Sequence, residues 1–235
     1  MSDDPLEAGA PESIGENKIW YLKKNRLFAN APVDAVVEGA DIFTMQLLPK
    51  RSTLFDQGDA TKVVYLIKRG RVRIARNTAD GKEVTVAILG PGDMFGEDAL
   101  FGGIERTTVA TCLEETLICK AHADDLFALL AGNSALALNV AQMLSDRLGD
   151  ASATIEDLAY AKISDRLVNL FDRLATELGR TTDEGTLLDV RLTHQDIASI
   201  IGSTRETVSL ELNQLVRAGQ IKQENGYITV LGRKD

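Results

Sequence analysis

The chain has 235 residues, 44% hydrophobic and 26% charged, an ordinary globular balance that gives length for one or two domains and a real core. It contains no run of about 18 uncharged apolar residues, which excludes a helical membrane span, and its net charge of −9 gives no overall attraction for phosphate. The acidity is uneven: residues 162–235 carry 10 Lys+Arg against 11 Asp+Glu, and the rest carry 16 against 24, so the C-terminal third can still present a local basic face.

Residues 1–17 read as a disordered acidic tail in which Asp3, Asp4, Glu7, Glu12 and Glu16 alternate with Pro and Gly. They lack the basic start and apolar stretch of a secretory signal, so a cytoplasmic protein is expected. Short helical patterns run from Trp20 to Leu48 and stop at Pro49. The period then changes. Residues 63–67, 72–74, 84–88 and 107–112 are β-rich runs separated by glycines, as in antiparallel strands joined by tight turns. A β-roll effector domain over 18–134 follows. Cys112 and Cys119 are too few for a disulfide framework or an iron–sulfur cluster, and His122 and His194 lie far apart, so no metal or haem is expected.

A proline-free stretch over 135–161 places Ala137, Ala141, Leu144, Leu148, Ala151, Ile155 and Leu158 at alternating steps of four and three. Such a stripe calls for a partner helix. Homodimerisation through it is expected, the alternative being that it packs on the roll of its own chain. Over 162–235, Ser164 is a candidate cap for a helix over 165–178 that Gly179 ends. A strand over 187–192, two short helices and a strand pair around Asn225-Gly226 complete the order of a winged helix-turn-helix. The fold class is therefore α+β: roll, long dimerisation helix, winged helix-turn-helix.

Thr193-His194-Gln195-Asp196 has the form of a capping box, Gly202 is free to take a positive φ in the turn, and Thr204 can cap a second helix over 204–216. Val208, Leu212 and Leu215 form the core face of that helix; Arg205 and Ser209 share another, with Glu206 alongside. Arg bonds guanine O6 and N7 bidentately and Glu accepts from cytosine N4, which suits a major-groove site containing G·C. Thr193, Gln195 and Ser203 stand where they can bond phosphates.

The run from Leu192 through Ile201-Gly202-Ser203-Thr204-Arg205-Glu206-Thr207-Val208 resembles the helix-turn-helix of the cyclic-AMP receptor protein and fumarate–nitrate reductase regulator family. The likeness extends from about Trp20 to the C-terminus. It implies a transcription factor that binds palindromic double-stranded DNA and contacts RNA polymerase. Where many members carry a second arginine one turn into the recognition helix, this chain has Leu210.

The segment from Pro91 to Leu100, followed by Arg106-Thr107-Thr108, is similar to the phosphate-binding cassette of cyclic-nucleotide-binding domains. A cyclic phosphate needs a guanidinium and backbone N–H groups, which Arg106, the Thr107 hydroxyl and a short helix from Ala99 would offer. Glu97 resembles the family residue on the ribose 2′-hydroxyl; Gly96 allows close backbone approach, and Asp98 completes the candidate set. Thr108 stands in place of the usual alanine, and Ala151 and Ser152 align with the Thr and Ser that face the purine. Cyclic AMP is the expected ligand. Another small effector, or effector-independent action with Glu97 and Arg106 as a structural ion pair, are the alternatives. Gly-x-Ser-x-Gly, P-loop and His-Glu-x-x-His motifs are absent, so no enzyme is expected. The rival class is a cyclic-nucleotide-responsive protein-interaction module.

Overall fold

The structure, a computed structural model, describes residues 14–79, 81, 83–102 and 105–231. Helix α1 (Ile14–Lys24) begins inside the segment read as tail, which corrects that boundary; residues 1–13 lie outside the described residues. After α2 (Val33–Ile42) come eight strands: β1 (Thr44–Leu48), β2 (Thr53–Phe55), β3 (Val63–Arg69), β4 (Val72–Asn77), β5 (Glu83–Leu89), β6 (Met94–Phe95), β7 (Val109–Cys112) and β8 (Thr116–His122). They form two antiparallel four-stranded sheets, ordered β1-β8-β3-β6 and β2-β7-β4-β5.

Strand periodicity decides what these sheets bury. Successive side chains point to opposite faces. In β3, Tyr65 and Ile67 face the space between the sheets with Phe55, Phe95, Cys112 and Ile118, whereas Val64 and Leu66 face outward. That outer face is not solvated. Leu22, Phe28, Val36 and Phe43 cover it, together with Leu126 of α3 (Ala123–Gly132) and Leu136, Val140 and Met143 of α4 (Ser134–Tyr160). A strand buried on both faces reads as a continuous apolar run, which is how 63–67 appears in the sequence.

Helix α4 separates two stripes. Leu136, Val140 and Met143 dock on the roll, while Leu148 and Ile155 are 69% and 67% exposed. At about 100° per residue, the docked residues lie roughly 80–140° round the helix from Leu148, so most of the expected seam does not pack on its own roll. Leu158 departs from that seam and lies against Gly202 of the C-terminal part.

There, α5 (Ile163–Leu178), β9 (Gly179–Thr182), β10 (Gly185–Leu188), α6 (His194–Ile201), α7 (Arg205–Arg217), β11 (Ile221–Glu224) and β12 (Tyr227–Leu231) enclose a second core around Phe171, Leu174, Ile197, Val208 and Leu212. Three local expectations are corrected. Ser164 lies inside α5, whose N-cap is Lys162 without a side-chain bond. Gly179 has an extended φ of −80° and opens β9 instead of closing the helix left-handed; a Cβ there would come within 2.0 Å of the Ala175 carbonyl oxygen. The strand expected at 187–192 runs over Gly185–Leu188 and pairs with the unforeseen β9.

Cys112 and Cys119 are buried and unpaired, and burial pushes the Cys119 thiol up to about 11. The thiolate is the reactive species. Burial raises the Cys112 thiol too, so both cysteines stay in the unreactive thiol form as well as shielded, and iodoacetamide should label neither in the native protein while labelling both after denaturation. Rapid native modification, read by mass spectrometry, would contradict this core.

Candidate functional site

The helix-turn-helix is built by short-range bonds. Thr193 Oγ1 accepts from the Asp196 amide at 3.1 Å, and the Asp196 carboxylate accepts from the Thr193 amide at 2.8 Å, closing the capping box on α6. Gly202 ends α6 with φ 63°, the Ser203 amide donates to the Ala198 carbonyl, and Thr204 caps α7 by accepting from the Thr207 amide at 3.2 Å. Val208, Leu212 and Leu215 are buried as expected. Arg205 and Glu206 are exposed at the start of α7, and Leu210 is 60% exposed one turn on. Thr193 and Gln195 are exposed at the start of α6, with Ser203 half-buried in the turn.

Ser209 is arranged differently from a free base contact. Its hydroxyl donates to the Arg205 carbonyl at 2.9 Å and sits 2.7 Å from His194 Nδ1, tying α7 to α6. Two further positioning residues escaped sequence reasoning. Arg166 donates to the carbonyls of Leu158, Ala161 and Ile201, gathering the α4–α5 hinge and the end of α6. Ser199 receives the Thr85 amide at 2.8 Å and donates to the Glu83 carbonyl at 2.8 Å, which seats α6 against β5 of the roll.

In the roll, Gly96 has φ 78°, and a Cβ there would come within 2.8 Å of the Val63 carbonyl oxygen and 3.1 Å of Arg106 Nη1. Glycine is therefore required to admit the arginine. Arg106 is 3% exposed. Its Nη1 donates to the Gly96 carbonyl at 3.0 Å and to the Asp98 carboxylate, Nη2 to the Val63 carbonyl, and Nε to Thr61 Oγ1 at 3.0 Å; the guanidinium lies 4.4 Å from the Phe55 ring centroid. Asp98 Oδ1 also accepts from the Ala99 amide at 3.0 Å. The Glu97–Arg106 ion pair of the effector-independent alternative does not form: Glu97 instead accepts from Arg147 of α4 at 2.7 Å, and Arg147 also donates to the Met94 carbonyl. The choice follows from geometry, because neighbouring residues of the tight turn Glu97–Phe101 point in different directions. Thr107 is exposed, and Ser152 is exposed with its hydroxyl donating to the Leu148 carbonyl of its own helix.

A cavity of about 820 Å³ opens beside this motif between β5, α4 and α5. Val86, Arg147, Ala151, Thr154 and Leu174 are among its lining residues, whereas Gly96, Glu97, Asp98, Ala99, Arg106 and Thr107 are not. Glu177 also borders it, and burial, followed by the nearby Asp150 and Asp93, raises its carboxyl above the usual carboxylate pKa. The guanidinium that a cyclic phosphate would need is engaged by the protein itself. Of the five guanidinium N–H donors, four are committed inside the protein, one of them to the carboxylate of Asp98.

The comparisons agree with both halves. The cyclic nucleotide-binding domain family matches residues 45–133, and the Crp-like helix-turn-helix domain family matches residues 162–235. The cyclic AMP receptor protein of Thermus thermophilus is 30% identical over 209 residues, covering 89% of this chain and 94% of its own. A CRP-like cAMP-activated global transcriptional regulator of Mycobacterium tuberculosis is 31% identical over 184 residues, 77% of this chain and 81% of its own. Among solved structures, a mutant of CooA from Carboxydothermus hydrogenoformans is similar at TM-score 0.67 and 27% identity, over 80% of this chain and 83% of its own. The c-di-GMP responsive regulator CLP of Xanthomonas campestris shares the fold at TM-score 0.74 and 22% identity, over 86% and 100%. With a cyclic nucleotide-binding domain and a Crp-like helix-turn-helix in one chain that spans nearly the whole length of such a relative, this protein belongs to the cyclic-AMP receptor protein and fumarate–nitrate reductase regulator family of DNA-binding transcriptional regulators.

Proposed function

We propose that the protein acts in the cytoplasm as a homodimer on palindromic double-stranded DNA, with α7 in the major groove and RNA polymerase as its protein partner, and that it has no catalytic activity. Its working units are the roll, taken from α1 at Ile14 up to 134, the dimerisation helix over 135–161 and the winged domain over 162–235. The observation that carries this reading is α7 itself: a capped helix with its inner stripe buried and Arg205 and Glu206 exposed at its N-terminal end. Arg205 would bond a guanine edge and Glu206 a cytosine amine, while Thr193, Gln195 and Ser203 would bond phosphates and Thr204 would hold the start of α7 as its cap. Ser209 would act through the orientation of α7, since its hydroxyl is bonded within the motif.

Selection from a random duplex library tests this. Two α7 helices related by a twofold axis lie about 34 Å apart, so the enriched sites should be inverted repeats with half-site centres about 10–11 base pairs apart. Enrichment of no repeat would transfer the winged domain to protein recognition and overturn the DNA role.

For the roll, cyclic AMP is the nucleotide that the Gly96, Glu97, Arg106 and Thr107 pattern favours, supported by the domain family and by the relatives named for it. A second reading, regulation without a nucleotide, is favoured by one specific observation: the guanidinium of Arg106 already holds the carboxylate of Asp98.

A further inference from the structure

We propose that Asp98 is a tethered substitute for the cyclic phosphate, so that this regulator keeps cyclic nucleotides out of its own cassette and binds DNA without them. The proposal rests on the reading of the roll as a cyclic-nucleotide-type pocket. A phosphate oxygen in such a cassette needs two kinds of donor, a guanidinium N–H and a backbone N–H, and Asp98 Oδ1 takes one of each, from Arg106 and from the Ala99 amide. A buried guanidinium requires a nearby anion to offset its desolvation. Here the chain supplies that anion two residues after Gly96, at a position covalently fixed beside the arginine. An incoming phosphate would have to displace the carboxylate or sit next to it, and like charges brought together in a partly buried site repel.

The second half of the argument concerns what a ligand would do once bound. It alters DNA binding only through differential affinity for two states, transmitted where the roll meets the dimerisation helix. In this chain that junction is already closed. Arg147 of α4 donates to the Glu97 carboxylate and to the Met94 carbonyl, so the carboxylate suited to a ribose hydroxyl instead holds the helix against the roll. Both charged contacts expected for the nucleotide, at Arg106 and at Glu97, are satisfied by protein groups.

The test is isothermal titration calorimetry of the full-length protein with cyclic AMP, run on wild type, Asp98→Ala and Asp98→Asn, beside thermal unfolding with and without the nucleotide. Wild type should give no heat and no shift in Tm at nucleotide concentrations up to about 1 mM. Asp98→Ala, which frees the guanidinium and the Ala99 amide, should bind cyclic AMP with an affinity at least roughly a hundredfold higher than wild type. Asp98→Asn removes the negative charge while keeping the side chain's shape and its bonds, and should fall between the two. If loss of the buried arginine's counterion stops Asp98→Ala from folding, Asp98→Asn decides alone. Wild type binding cyclic AMP as tightly as the variants would overturn the proposal, as would folded variants that show neither heat nor a Tm shift. Fluorescence anisotropy with the selected duplex separates the two readings: wild-type DNA affinity should not change when cyclic AMP is added, whereas failure to bind any duplex would sink the DNA role and leave the calorimetric result standing.

Discussion

Leu148→Asp should convert a particle near twice 25.5 kDa into one near 25.5 kDa in sedimentation at micromolar concentration, and should abolish binding to a palindromic duplex. Leu148 is 69% exposed in the single chain, on a face of α4 about 80–140° round the helix from the Leu136, Val140 and Met143 stripe. The apolar side chains at Leu148 and Ile155 are two turns apart, so a second copy of the helix would meet them in register. A twofold axis presents each substitution twice. Losing a buried leucine costs about 1.5–3 kcal/mol per copy, and leaving an unpaired carboxylate in the seam adds several more. The combined penalty, on the order of 5 kcal/mol or more, weakens the dimer by at least about three orders of magnitude. Secondary structure should survive, because the roll-facing stripe of α4 is untouched, and circular dichroism would verify that. A variant that still sediments as a dimer, or a wild type that is monomeric at the same concentration, would remove the seam as the interface.

What was legible in the sequence was governed by short-range chemistry. The capping box at Thr193 and Asp196, the left-handed Gly202, the cap at Thr204 and the paired positive φ values of Asn225 and Gly226 all depend on bonds or torsions within four residues. They are written where they act. The strand β9, Gly-Arg-Thr-Thr, offered no hydrophobic alternation and is held by pairing with β10, so its composition resembled a loop. Arg166 looked like an ordinary helix-surface cation, yet it gathers carbonyls from three places in the chain.

Long-range pairings were the part that stayed hidden. Ser199 and Thr85 are 114 positions apart, and neither residue type announces a partner. In the cassette the sequence reading named Glu97, Asp98 and Arg106, and its effector-independent alternative set Glu97 against the arginine, where the structure sets Asp98. The missing information was the direction of each side chain in the turn, together with a second arginine, Arg147, arriving from α4. Two carboxylates and two arginines permit either set of pairs on charge alone; only the backbone path chooses between them.

Arg205→Ala should cost about 1–3 kcal/mol per half-site and relax selection at one G·C position, because it would remove the bidentate contact to guanine O6 and N7 proposed for this side chain. A dimer makes the contact twice, so the loss for the whole site doubles when the half-sites act independently. Arg205 is suited to that role structurally: it is exposed at the first position of α7, and it has no ion pair among the described residues that would have to break first. The fold should tolerate the change, since the core face of α7 is carried by Val208, Leu212 and Leu215. Gln195→Ala gives the contrasting case. From the exposed start of α6 it would remove a phosphate contact, lowering affinity evenly across sequences without changing the preferred base. Parallel selections on the two variants distinguish these outcomes: a changed consensus for Arg205→Ala with an unchanged one for Gln195→Ala is the expected pair. An identical consensus from wild type and Arg205→Ala would mean that α7 reads DNA through other residues, with Glu206 and the exposed Leu210 next in line along the same surface.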